Sequence, residues 1–203
     1  MISKADKKKL VQYLKRREGY LDYCDGSIVN WLEKEKESIR KNRGDTSGNQ
    51  EAIFKLDYPI AGTFNNCMVF AGCAFLEDAV RKIGNLAIEE YDSKVKQQKS
   101  GSWLAKHFIV VTSHTKTDLS LIEEQIEQFE KIIIIRNAIA HAWGKVDAGR
   151  NPAKLREIIA GNPTWGGVTR DGYIHLEHEA YCAAMKAAKK IIDHMLNKML
   201  TSD

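Results

Sequence analysis

The chain has 203 residues, 43% hydrophobic and 29% charged, which suits one domain with a real core, is short for two, and excludes a disordered polypeptide. No apolar run approaches the ~18 residues of a membrane span, and the N-terminus Met-Ile-Ser-Lys-Ala-Asp-Lys-Lys-Lys lacks the apolar stretch of a secretory signal, so a cytoplasmic location without membrane attachment is expected. The net charge of +4 is too mild to name a partner class.

Charge distribution says more. Residues 1–43 hold 12 Lys/Arg against 7 Asp/Glu, a basic segment on a near-neutral body. This fits a polyanion partner weakly. The interleaved signs at Glu33-Lys34-Glu35-Lys36-Glu37 favour an ordinary solvated helix face.

In chain order, residues 4–23 read as a helix capped by Ser3, with Leu10, Val11, Leu14 and Leu21 near one face. Asp25-Gly26-Ser27 marks a break. A second helix follows from Ile28 to Lys41, with Trp31, Leu32 and Ile39 as buried contacts. Arg43 to Gln50 is a polar loop, and Pro59 and Gly62 punctuate the approach to a long helix from Phe64 to Lys96. Its expected apolar face is Cys67, Phe70, Ala74, Leu76, Val80, Ile83 and Leu86. Gly72 and Gly84 weaken it and permit close approach of another helix. Lys94 to Gly101 is a charged connection. Ser102 to Val111 reads as a short helix carrying Trp103, Leu104 and Phe108, although residues 109–112 are β-branched.

The central helix starts near Thr117 to Ser120, where Ser120 and Glu123 fit a capping box. Leu121, Ile122, Ile126, Phe129, Ile133 and Ile139 supply its core face, and Gly144 is its stop. A helix runs from Pro152 to Gly161. Asp171-Gly172, between residues 168–170 and 173–175, predicts a small β-hairpin. A last helix covers Glu177 to Leu200, with Tyr181, Met185, Ala188, Ile192, Met195 and Met199 on one face. The predicted fold class is all-α, a helical bundle with a long central motif helix and a small β-hairpin before the last helix.

The cysteines Cys24, Cys67, Cys73 and Cys182 form no C-x-x-C pair. Cys67 and Cys73 read as buried, and all four as reduced thiols.

The richest segment is Arg136-Asn137-Ala138-Ile139-Ala140-His141, after four isoleucines, Ile132 to Ile135. It joins a fixed cation, an amide and an imidazole at the end of an apolar helix. Phosphate recognition needs the first, and proton transfer near neutral pH the last. Asn137 and His141 are four apart and share a face. Arg136 and His141 are five apart, about 140° around the axis. One straight helix does not aim both at a point, whereas two copies across a two-fold axis gather both into one groove.

The pattern R-x4-H, with Asn after the Arg, resembles the ribonuclease motif of the HEPN family of small helical domains. The match covers the central helix. The resemblance implies a metal-independent endoribonuclease without cofactors, acting on RNA as a homodimer. It also implies a toxin or phage-defence setting with an antitoxin or regulatory protein as a further partner. Arg136, Asn137 and His141 are then the catalytic residues. Arg136 binds phosphate, His141 transfers a proton, and Asn137 orients either. Some toxin members continue as H-x-Tyr; Trp143 stands there, which argues against tyrosine modification at that position.

Two other readings stay open: a silent HEPN-like module that binds RNA or a protein, and a plain helix end where Arg136 and His141 satisfy carbonyl groups. His175-Leu176-Glu177-His178 lacks the order of a zinc-protease motif and reads as solvated residues at a helix start. His107, His114 and His194 have no ligand partners nearby, so no metal is expected. Glu77-Asp78 reads as an exposed stripe, with a role in holding Arg136 or His141 as the alternative. Ser102 and Ser120 lack a nucleophile elbow. The segment from Gly161 to Gly167 lacks the Lys-Ser/Thr of a phosphate loop, and Trp165 reads as its anchor.

Overall fold

Residues Lys4–Arg43 form one unbroken helix, α1, in the computed structural model, which describes residues 3–43, 47–91, 108, 112 and 117–201. Ser3 caps it, its Oγ accepting from the Asp6 N–H at 3.1 Å. The break expected at Asp25-Gly26-Ser27 does not occur. A helical glycine costs about 1 kcal/mol, and contacts from the last helix to the turns just before Gly26 offset that cost. His178 Nε2 lies 2.8 Å from Asp25 Oδ1. Lys189 Nζ lies 2.9 Å from Glu18 and 3.3 Å from Asp22. Trp31, expected in the core, is 42% exposed and packs edge-on against Phe64.

The polar loop expected to Gln50 is shorter. Helix α2 covers Ser47–Lys55, and a π-helical turn, Leu56–Ile60, carries Pro59 into α3, Ala61–Tyr91. Proline lacks the N–H of a regular α turn, and the wider π turn accommodates that loss without ending the helical path. The rest of the expected helix to Lys96 and the connection to Gly101 lie outside the described residues. Of the expected helix Ser102–Val111, only Phe108 is described, and it is buried.

The buried arc of α3 is broader than the expected stripe and partly displaced from it. Met68, Val69, Cys73, Phe75, Leu76, Val80 and Ile83 are buried, while Cys67 and Ala74 fall on the opposite, exposed side. This arc packs against α1 and against the last helix. A Cβ at Gly72 would sit 3.4 Å from Met185 Sδ and 3.6 Å from Ala184 Cβ, so the glycine sets the close approach expected of it. By length and composition the stretch Ser47–Leu86 qualifies as a membrane span, which a search for unbroken apolar runs overlooks. Much of that apolar character belongs to the packed arc just described.

The motif helix, α4, covers Glu123–Ala142 after a 3-10 turn, Leu119–Ile122. Asp118, not Ser120, caps this entry by accepting from the Ser120 N–H at 2.9 Å. The 3-10 turn rotates Leu121 outward, leaving it 69% exposed instead of in the core. Phe129, Ile132 and Ile135 are buried; Ile126, Ile133, Ile134 and Ile139 are partly so. Helix α5, Pro152–Gly161, is capped by Asn151, whose side chain accepts from the Lys154 N–H at 3.2 Å. Strands β1, Gly166–Val168, and β2, Ile174–Leu176, form the expected antiparallel hairpin with Val168 opposite Ile174. Gly166 is obligatory, because a Cβ would meet the His175 carbonyl oxygen at 2.0 Å. Helix α6, His178–Thr201, is the hub that packs against α3 and α4. Tyr181, Met185, Ala188, Ile192 and Met195 are buried there as expected; the side chain of Met199 lies outside the described residues. The fold is an all-α bundle with one small hairpin before its last helix.

Candidate active site at the end of the motif helix

The last two turns of α4 send the three motif residues in two directions. Arg136 turns inward. Its Nη2 donates to Glu77 Oε1 on α3, its side chain is 21% exposed, and its buried Nε has no hydrogen-bond partner among the described residues. The guanidinium also lies beside the Cys73 thiol; burial pushes that thiol up to about 11 despite the opposing pull of Arg136. Glu77 is therefore a partner of the motif helix rather than part of an exposed stripe. Asp78 belongs elsewhere, accepting from Tyr13 Oη at 2.8 Å and Arg81 Nη2 at 2.8 Å.

Asn137 and His141 turn outward and line one cleft of about 400 Å³. Both are exposed, and neither has a hydrogen-bond or ionic partner among the described residues. Ile134, Ala138, Ala142 and Leu155 give the cleft an apolar floor, and Arg150 and Lys154 supply cations. Among the described residues, no carboxylate lines it. Lys154 is paired along its helix with Glu157 at 2.9 Å, and Arg150 has no ionic partner among the described residues. The structure thus brings Asn137 and His141 together and leaves Arg136 outside their cleft. Arg150 and Lys154 are additions that the motif does not reveal. They line the cleft with His141 because the 3-10 turn Val146–Ala148 and the Asn151 cap fold α5 back beside α4.

The motif helix ends abruptly. Trp143 has φ 54° and ψ 27°, in the left-handed region, and Gly144 follows at φ 78°. Left-handed backbone costs a non-glycine residue about 1–2 kcal/mol. The reversal is fixed by the hairpin, since the Ile174 N–H donates to the Gly144 carbonyl at 2.8 Å and the Val146 N–H to the Gly172 carbonyl at 2.9 Å. It leaves the Trp143 side chain 90% exposed, one residue beyond the cleft-lining Ala142. Such strain at a bulky, exposed residue points to use of the side chain.

His175 in the hairpin and His178 just after it are tied rather than merely solvated. His175 Nε2 is 3.1 Å from Glu177 Oε1. His178 links Asp25 of α1 to Cys182, whose Sγ lies 3.6 Å from Nδ1. Partial burial, then the Asp25 and Glu179 carboxylates, push the Cys182 thiol up, which opposes a nucleophilic role. This group serves as a clamp between α1 and α6. His194 Nε2 hydrogen-bonds the Asp118 carbonyl at 2.8 Å, while His107, His114 and Ser102 lie outside the described residues. Among the described residues, no group of three or more His, Cys, Asp or Glu side chains is arranged to hold a metal. All four cysteines are free; Cys73 is buried, and Cys24, Cys67 and Cys182 are exposed. Trp165 is buried as the expected loop anchor. No protein-family model matches the chain, and comparison with curated proteins and with solved structures finds no significant match.

Proposed function

We propose that this protein is a HEPN-like, metal-independent endoribonuclease that works as a homodimer. The observation that carries the reading is the pairing of Asn137 and His141 in one cleft with no partners among the described residues. Among the described residues, neither side chain satisfies a carbonyl as at a plain helix end: Arg136 is engaged by Glu77, and His141 has no hydrogen-bond partner. An imidazole left accessible in a cationic cleft suits proton transfer to or from a phosphodiester.

The chemistry is transesterification. The ribose 2′-oxygen attacks the adjacent phosphorus, a P–O bond forms, and the bond to the 5′-oxygen breaks. The 2′-hydroxyl loses its proton to a base, and the leaving 5′-oxygen gains one from an acid. His141 fills one of these two roles and solvent water the other, so each site needs a single imidazole. Asn137 orients the phosphate by hydrogen bonding. Arg136 neutralises the charge that builds on the phosphate oxygens, once the two-fold arrangement brings it to the partner's His141. The nucleophile belongs to the substrate, so the step itself requires no metal. A toxin or phage-defence role, with an antitoxin or regulatory partner, belongs to this same reading.

A second reading has its own support. Arg136 is held by Glu77 and stands apart from His141 within a protomer, as in a module that binds RNA without cutting it. One experiment separates the two. Purified protein is incubated with single-stranded RNA, and the product ends are analysed. The enzyme yields 2′,3′-cyclic phosphate and 5′-hydroxyl ends, loses ~10²-fold or more activity on His141→Ala, and leaves a substrate with 2′-deoxyribose at the cleaved position intact. RNA binding with no cleavage by the wild type establishes the silent module instead.

A further inference from the structure

The cleft that holds His141 carries its own cations, and they are not the motif arginine. Arg150 precedes the α5 cap, and Lys154 lies in the first turn of α5. Both line the same cleft as Asn137 and His141. Arg150 has no ionic partner among the described residues, and Lys154 pairs with the exposed, replaceable Glu157. The apolar floor of Ile134, Ala138 and Leu155 in the same cleft gives a nucleobase or ribose somewhere to lie. A volume of about 400 Å³ is at the small end for a ligand site and suits one nucleotide unit rather than a folded partner. At the end of the same helix stands Trp143, strained and almost wholly exposed. Cations tracking a backbone beside an aromatic ring open for stacking are the recurrent features of single-strand binding.

Resting on the reading of His141 as a proton-transfer group, we propose that the cleft is a single-stranded RNA subsite built within one protomer. Arg150 and Lys154 hold the phosphates flanking the one that reacts, and Trp143 stacks a base at the mouth. Arg136 is then not the residue that captures the strand. Capture belongs to α5 and its loop, and Arg136 is left for the charge that develops during reaction.

The test uses the full chain and a fluorescent, 2′-O-methylated oligouridine of about eight nucleotides, which cannot be cleaved. Binding is followed by anisotropy across a salt series, with cleavage of unmodified RNA measured in parallel. Arg150→Ala with Lys154→Ala weakens binding about tenfold or more. It also lowers the slope of log affinity against log salt by about 1.4, at about 0.7 per phosphate contact on a single strand. Trp143→Gly weakens binding by about tenfold, and Trp143→Phe restores most of it. Arg156→Ala, on the same helix but paired with Asp147 at 2.7 Å and outside the cleft, binds as the wild type. All changed positions except Trp143 are exposed surface on ordinary helix or loop, and glycine relieves the backbone strain at Trp143, so circular dichroism should match the wild type. If the Arg150 and Lys154 variants bind and cleave as the wild type while His141→Ala is inactive, this subsite is wrong and the nuclease reading stands. If the wild type neither binds nor cleaves RNA, both fail. If Trp143→Gly binds RNA normally but loses the dimer in light scattering, the tryptophan belongs to the interface between copies and its stacking role is overturned.

Discussion

The Arg136 guanidinium on α4 and the Glu77 carboxylate on α3 form an ion pair outside the cleft lined by His141. The pair ties the motif helix to the core helix. It is partly buried, with side chains 21% and 33% exposed, so each charge depends on the other for solvation. Glu77→Ala should lower unfolding free energy by about 1–3 kcal/mol in urea titration, and Arg136→Ala by a similar amount. The double variant should lose clearly less than the two losses combined. Strict additivity would mean the pair contributes no coupling.

The separation of Arg136 from His141 leads to a prediction about mixed assemblies. A site that joins Arg136 of one copy to His141 of the other is regenerated when inactive Arg136→Ala and His141→Ala proteins exchange subunits. With equal mixing, half the dimers are mixed and each holds one intact site of two, so about a quarter of wild-type cleavage should return. No recovery after proven subunit exchange would place both groups in one protomer's site.

Metal dependence is the next check. The proposed step uses an internal hydroxyl and does not require a Lewis acid. Cleavage should survive excess EDTA within about twofold. Activity lost in EDTA and regained on adding Mg²⁺ or Mn²⁺ would shift the chemistry to carboxylates outside the cleft.

The α1–α3 contact should respond to acid. Partial burial raises the Asp78 carboxyl, but hydrogen bonds from Arg81 and Tyr13 outweigh it and hold the group below its usual value. A lowered folded-state value means that the contribution is complete above the ordinary carboxylate range. It is lost as pH falls through the folded-state value. Tyr13→Phe should therefore cost about 1 kcal/mol at neutral pH, and the gap between variant and wild type should close as pH drops below about 4. A gap that persists unchanged in acid would show that the Tyr13 ring, not its hydroxyl, supplies the stability.

Where local signals and tertiary packing agree, the chain is readable residue by residue. Pro152, Gly161 and Asp171-Gly172 mark the ends of α5 and the hairpin turn, because caps and turns are decided by a few adjacent residues. Gly26 and Pro59 mislead for the opposite reason. Their local penalties are outweighed by ties to His178 and Lys189, and by a π turn, all of which depend on the folded context. The shared face of Asn137 and His141 follows from their four-residue spacing. The direction of Arg136 does not, since it depends on Glu77 lying 59 residues away. Arg150 and Lys154 are invisible in the motif because a 3-10 turn and a cap, not helical periodicity, carry them into the cleft that His141 lines.

The exposure of Trp143 also makes the protein a source of its own optical signal. The four tryptophans are Trp31, Trp103, Trp143 and Trp165. Trp165 is only 6% exposed, whereas Trp143 is 90% exposed. Iodide should quench Trp143 emission far more readily than that of Trp165, and a Trp143→Phe protein supplies the subtraction. A nucleotide arriving on the indole would dim and shield it together, so occupancy of the motif end becomes readable in unlabelled protein, in real time, before any bond is cut.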